Sequence, residues 1–194
     1  VDVGTFVDGW YTLLASRIVG PNGRVLAFEP IPEYYQACQN QLALNGIANV
    51  TFENMAVGNR KDTLQFYRNG LNSSVFGFHV TADTPTVQVP AISLDGYAQQ
   101  HGLGPVHFLK IDAEGYEPFI LEGAENLIKS QVKYVLIELI DDFLVKSGFS
   151  RDELIRRLQS WGFTAYVITR SGVDHLEPYT PGKQSETLNM FFAR

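Results

Sequence analysis

The chain has little of what builds metal clusters, disulfide frameworks or membrane spans. It holds one cysteine, Cys38, among 194 residues. That excludes an internal disulfide and a cysteine zinc site, and fits a reducing compartment. Four histidines, His79, His101, His107 and His175, are scattered, with no pair at ligand spacing on one helix. Lys and Arg number 15 against 21 Asp and Glu, a formal net charge of −6. No overall positive field exists to hold nucleic acid or an anionic membrane surface. No apolar run approaches a membrane span, and the first residues lack a basic–apolar signal pattern. The expected location is cytoplasmic, with neither nucleic acid nor membrane as partner. No G-x-G-x-x-G turn occurs, which argues against an NAD(P)-dependent oxidoreductase.

What is present is an ordinary globular composition, 45% hydrophobic and 19% charged, enough for one domain with one core. The chain opens on Val1-Asp2-Val3-Gly4, which reads as the end of a strand, so a segment upstream of strand 1 is expected to be missing from this sequence. Strands are predicted at Val1–Gly4, Arg24–Glu29, Val50–Asn54, Leu64–Tyr67, Thr86–Ala91, Val106–Ile111, Lys133–Leu139, Ala165–Thr169 and Thr187–Phe192. Helices fall between most of them. Tyr11–Val19 is one, a second opens at Pro30 and Pro32 and runs to Asn45, and Ser93 caps a third ending at Gly102. Ile120, Leu121, Ala124, Leu127 and Ile128 share one face of a fourth helix, and Ser150 with Glu153 forms a capping box for a fifth. The link between the last two strands carries Gly172, Pro178, Pro181 and Gly182 and no helical period, so those strands are predicted to pair antiparallel. Strand–helix alternation then implies a doubly wound, mostly parallel α/β sheet finished by a reversed strand. The polar stretch Arg68–Pro85 is a candidate functional loop.

In such sheets ligands bind outside the carboxyl ends of the strands. Polar and glycine-rich residues collect there: Asp2 to Gly9, Glu29-Pro30, Glu53-Asn54-Met55-Ala56, Asp112-Ala113-Glu114-Gly115 and Glu138. The order VDVG…GWYT, LAFEP, NMAVG, FLKIDAEGYE and IEL resembles the FkbM family of S-adenosylmethionine-dependent methyltransferases, over nearly the whole chain. LKIDAEG is its most diagnostic piece, and Leu188-Asn189-Met190-Phe191-Phe192 resembles the family's last strand. One departure concerns the first loop, which lacks the family's Asn and runs one residue longer from Gly4 to Gly9.

The resemblance implies a Rossmann-like class I fold, a seven-stranded sheet with an antiparallel last strand, and S-adenosyl-L-methionine as cofactor. It implies cofactor-binding roles for Asp2, Gly4, Thr5, Gly9, Thr12, Glu29, Pro30, Asn54, Met55, Ala56 and Asp112. The chemistry agrees at several of these positions. Gly4 lets the backbone turn and a ligand approach without a Cβ in the way. The helix after Gly9 offers free N–H groups to a carboxylate. Glu29 can accept both hydroxyls of a ribose. Asn54, Met55 and Ala56 suit adenine. Asp112 and Glu114 are the catalytic candidates, able to position or deprotonate an acceptor hydroxyl. Helix capping is the bland reading of such carboxylates, and it is preferred for Glu117. Lys110 is expected either to point to the opposite side of its strand or to tune the carboxylates.

Phe6, Trp10, Tyr11 and Phe28 either line the pocket or pack, and packing is expected for at least two. His79 is a candidate base, His107 is expected in the core, and Cys38 to be a buried helix residue. Asp141-Asp142 can join Asp112 around a divalent cation, but a solvated helix start is the preferred reading, and no metal is expected. The implied reaction is O-methylation of a hydroxyl on a small molecule, sugar or secondary metabolite. Methylation of bases or glutamine is disfavoured, since no Pro-Pro-aromatic run follows Asp112. A domain that kept the fold and lost catalysis is the alternative, and a homodimer is compatible with either.

Overall fold

A computed structural model describes residues 1–69, 72–77, 80–171, 173–182 and 187–194. The first half contains β1 (Asp2–Val3), α1 (Trp10–Val19), β2 (Val25–Phe28), α2 (Pro32–Leu44), β3 (Val50–Glu53), β4 (Ala56–Val57), β5 (Asp62–Asn69), β6 (Asn72–Ser74), β7 (Thr86–Ile92) and α3 (Leu94–His101). The second half contains β8 (Phe108–Ile111), α4 (Glu117–Gly123), α5 (Glu125–Gln131), β9 (Tyr134–Ile140), α6 (Asp141–Ser147), α7 (Arg151–Ser160), β10 (Thr164–Ser171), β11 (Val173–Pro178) and β12 (Thr187–Ala193).

The main sheet has eight strands in the order β11-β10-β12-β9-β8-β1-β2-β3. The five from β9 to β3 are parallel, and β12, β10 and β11 each run antiparallel to their neighbours. Apolar residues on both faces explain the parallel centre: all four residues of β2 are buried, as are Leu109, Ile111, Val135, Ile137 and Leu139. The buried face of α4 and α5 packs into this core through Ile120, Leu121, Leu127 and Ile128. The doubly wound plan with β10 antiparallel to β12 is as the sequence pattern predicts.

The structure departs from the sequence pattern at four places. The sheet has eight strands instead of seven, because the link after β10 folds back as β11, an edge strand where Pro178 is tolerated. β5 and β7 do not extend the main sheet; with β4 and β6 they form a separate sheet in the order β4-β7-β5-β6. The helix predicted through Ile120–Ile128 is two helices that meet at Ala124, whose ψ of 8° departs from helical geometry. His107 is exposed at a bend before β8 and does not lie in the core. Asp141 and Asp142 begin α6, and Asp141 pairs with Arg151. His79 lies outside the described residues. Among the described residues no helix is long and apolar enough to cross a membrane, and no cluster of three or more His, Cys, Asp or Glu side chains is arranged to hold a metal ion.

Candidate functional site

The strand order reverses between β1 and β8, since the chain runs outward from β1 to β3 on one side and from β8 to β9 on the other. A cleft of about 450 Å³ lies at these strand tips, where such sheets bind ligands.

Gly4 ends β1 at φ +79°, and its N–H donates to the Phe28 carbonyl at 3.1 Å. A Cβ here would sit 1.8 Å from the Asp112 carbonyl oxygen. The close approach that demands glycine is therefore made by the chain's own backbone after β8, whereas the sequence suggested a ligand. The loop continues through Phe6, which holds a left-handed φ of +63° and donates its N–H to Glu29 Oε2 at 2.9 Å. Cys38, buried in α2, donates its Sγ–H to the Phe6 carbonyl at 2.8 Å. Asp8 Oδ1 accepts the Trp10 N–H at 3.2 Å, so one of the donors opening α1 is already engaged.

Glu29 follows β2 and is 3% exposed. Its Oε1 accepts the Ile31 N–H at 2.9 Å, matching the Phe6 bond on Oε2. Each oxygen keeps a further lone pair for a ligand hydroxyl. Burial pushes this carboxyl up to about 7, against those two N–H groups and the Lys110 charge. Pro30, Ile31, Tyr34, Met55 and Ala56 continue the wall.

Glu114 holds a left-handed φ of +50° and lines the cleft with Asp112 and Glu138. Burial, with Asp112 and Glu138 nearby, raises Glu114 to about 7. Burial and Asp112 also raise Glu138, which hydrogen-bonds with Asn189 and Asp112. Glu117 is deeply buried and accepts the Ala113 N–H at 2.8 Å, bracing the turn after β8.

Lys110 does not point away. Its Nζ lies 3.3 Å from Asp112 and 3.4 Å from Asp2, and donates to the Gly4 carbonyl at 2.5 Å. Burial pulls its pKa down, but Asp2 and Asp112 outweigh that and hold it above the usual lysine value.

Gly4, Thr5, Glu29, Pro30, Met55, Ala56, Asp112 and Glu114 thus share one cleft. Asp2, Gly9, Thr12 and Asn54 stand behind its wall. Thr12 Oγ1 donates to Asp2 at 2.6 Å, and Asn54 ties down the Glu29 and Pro30 carbonyls at 2.8 and 3.1 Å. Phe28 is core, edge-on to Tyr97, while Trp10 remains 57% exposed. The sequence reading placed Glu138 at a strand end but gave it no role in the site. The available signal was a lone carboxylate inside the apolar run Tyr134–Ile140.

A doubly wound sheet with a reversed strand, β12, set between β9 and β10, and a cleft at its switch point, is the class I methyltransferase fold. The methyltransferase FkbM domain matches residues 2–165, and the chain belongs to that family. It is 28% identical over 188 residues to Methyltransferase 1 of Beauveria bassiana, covering 86% of this chain and 72% of that one. The FkbM methyltransferase of Methylobacillus flagellatus KT superposes with a TM-score of 0.62 at 17% identity, over 100% of this chain and 42% of that one. This chain therefore spans less than half of that protein's length. A putative methyltransferase from Streptococcus mutans, solved in complex with SAH, gives a TM-score of 0.52 at 10% identity, over 100% of this chain and 87% of that one. At such identities the likeness to solved structures is one of fold.

Family and fold indicate S-adenosylmethionine as the methyl donor. The donor set fits it. Asp112, Glu114 and Glu138 suit a ligand that carries ammonium and sulfonium charges, and Glu29 offers paired acceptors to a diol.

Proposed function

We propose that this protein methylates a hydroxyl oxygen of a small molecule or saccharide, that residues 1–194 act as one domain, and that neither nucleic acid nor membrane is its partner. The observation that carries this reading is the convergence of Asp112, Glu114, Glu138 and Lys110 on the cleft that Glu29 also lines. Glu29 would hold the ribose diol, Pro30, Met55 and Ala56 the adenine, Gly4 and Thr5 the adjoining backbone, and Asp112 the amino group. Asp2, Gly9, Thr12 and Asn54 act through these by fixing the loops that carry them. The donor, when bound, supplies an electrophilic methyl group on a positively charged sulfur. Glu114 serves as the base, since a carboxyl raised to about 7 is balanced between its two forms near neutrality and can take the acceptor's proton. Asp112 orients the acceptor hydroxyl. Ala113-Glu114-Gly115 after Asp112 favours oxygen over exocyclic nitrogen as the acceptor atom.

A second reading, cofactor binding without turnover, draws support from the lengthened first loop, whose Phe6 N–H occupies Glu29 Oε2. Thermal unfolding with S-adenosylhomocysteine and with NAD, followed by turnover on a panel of hydroxylated acceptors, separates the readings. A ligand at 100-fold its Kd stabilises by about 2.7 kcal/mol. A shift with S-adenosylhomocysteine alone, turnover, and loss of about 100-fold or more in kcat for Glu114→Gln are expected. A shift without turnover on any acceptor favours the second reading.

A further inference from the structure

Lys110 is 4% exposed and, among the described residues, is the one basic side chain lining the cleft. An ammonium has three protons to donate. Here one goes to the carbonyl of Gly4, and the carboxylates of Asp2 on β1 and Asp112 after β8 pair with the charge at 3.4 and 3.3 Å. Its position is therefore set from two strands at once, and the Tyr11 ring of α1 closes over it at 5.1 Å. A buried ammonium needs such pairing, because losing water without a partner is costly. The carboxylates around it outnumber it. Asp2 comes from β1, Glu29 follows β2, Asp112 and Glu114 follow β8, and Glu138 lies on β9. Glu29, Glu114 and Glu138 all feel the Lys110 charge.

We propose that Lys110 is the positioning residue of the cleft: its ammonium locks the tips of β1 and β8 together and supplies the single positive charge against which the surrounding carboxylates are set. The consequence for the proposed reaction is direct. Without that charge, mutual repulsion drives the acids toward their neutral forms, and neutral acids no longer attract a cationic ligand or accept a proton. The inference rests on the proposed reading for its link to methyl transfer, but the charge role itself is a property of the ligand-free protein.

The test compares wild type, Lys110→Met and Lys110→Arg by carbon NMR titration of the Glu29, Glu114 and Glu138 carboxyls, without ligand. Calorimetry with S-adenosylhomocysteine at pH 7 and pH 9 forms the second arm. In Lys110→Met the three titrations move up by about one unit or more, and Lys110→Arg returns them toward wild type because it keeps the charge. Affinity of Lys110→Met falls about tenfold below wild type at pH 7, the equivalent of a one-unit change, and the gap to wild type at the same pH closes at pH 9 once the acids ionise. Lys110→Arg regains only part of the affinity, since a larger planar guanidinium does not fit the place of a compact ammonium between Asp2, Asp112 and the Gly4 carbonyl. Unmoved titrations, or an equal loss of affinity at both pH values, overturn the proposal. If Lys110→Met does not fold, Lys110→Gln, which removes the charge but keeps an N–H to donate toward the Gly4 carbonyl, carries the same comparison. Wild type that binds no S-adenosylhomocysteine sinks the proposed function, while the NMR arm still decides the role of Lys110.

Discussion

Gly4 shows how a single residue can bind two strands into one site. Its positive φ and its contact with the Asp112 carbonyl are separate demands, and both exclude a side chain. Gly20 has a similar φ of +69° but nothing within 4 Å of where its Cβ would stand. Its ψ of −174° places it in a backbone region that is essentially glycine's own, so Gly20→Ala should cost that backbone strain alone, about 1–3 kcal/mol. Gly4→Ala must also push the backbone after β8 aside and should cost about 4 kcal/mol or more. Urea unfolding of the two variants checks this, and equal losses would remove the backbone contact from the explanation. The glycine itself was legible in the sequence. Its partner was not, because Gly4 and Asp112 are brought together only by the parallel pairing of β1 with β8. The choice between the two readings of Lys110 stayed open for a related reason. Alternation along a strand says that Lys110 and Asp112 share a face, but not which face Asp2 and Gly4 meet.

At the level of elements, local signals served best where local chemistry decides. The start of α7 was predicted from Ser150 and Glu153, and the structure has Glu153 accepting the Ser150 N–H at 2.7 Å and the Ser150 hydroxyl at 2.7 Å. Ser150→Ala should lower stability by about 1 kcal/mol and leave ligand affinity unchanged, as measured by thermal melts and calorimetry. Signals failed where packing decides. The apolar offsets through Ile120–Ile128 describe one continuous helix, yet the chain turns at Ala124 and keeps the same side chains buried in α4 and α5. β11 was hidden because its pairing partner β10 supplies the hydrogen bonds that its own composition does not advertise. The separate sheet of β4 to β7 was equally out of reach, since strand propensity does not say which sheet a strand joins.

For the molecule as a whole, the cleft and the turn after β8 concentrate acids whose folded-state pKa values lie above their usual values. Burial raises Glu29 and Glu114 to about 7 and Glu117 to about 8, and raises Glu138 as well. Each holds more protons folded than unfolded between about pH 4.5 and its raised value, so its stabilising contribution is complete below that window and is lost as pH rises through it. The ligand-free protein should lose stability steadily from about pH 5 to pH 8. Glu117→Gln keeps an oxygen for the Ala113 N–H but has no proton to lose. It should flatten the upper part of that curve and exceed wild type by at least about 1 kcal/mol near pH 9. Urea unfolding across the pH range reads both effects, and parallel curves for the two proteins would place the titration elsewhere.

The amino-acid sequence by itself determined the doubly wound alternation, the reversed pairing of the last strands and the edge of the sheet that carries polar tips. Those depend on periodicity, turn residues and connection length, all of which are local. Only the tertiary structure decided that Lys110 sits among Asp2, Asp112 and the Gly4 carbonyl, that Glu138 joins them, and that Thr12 and Asn54 work from behind the wall. Such relations depend on which strands lie side by side and how far each side chain is removed from water, and both are set by the packing of distant segments.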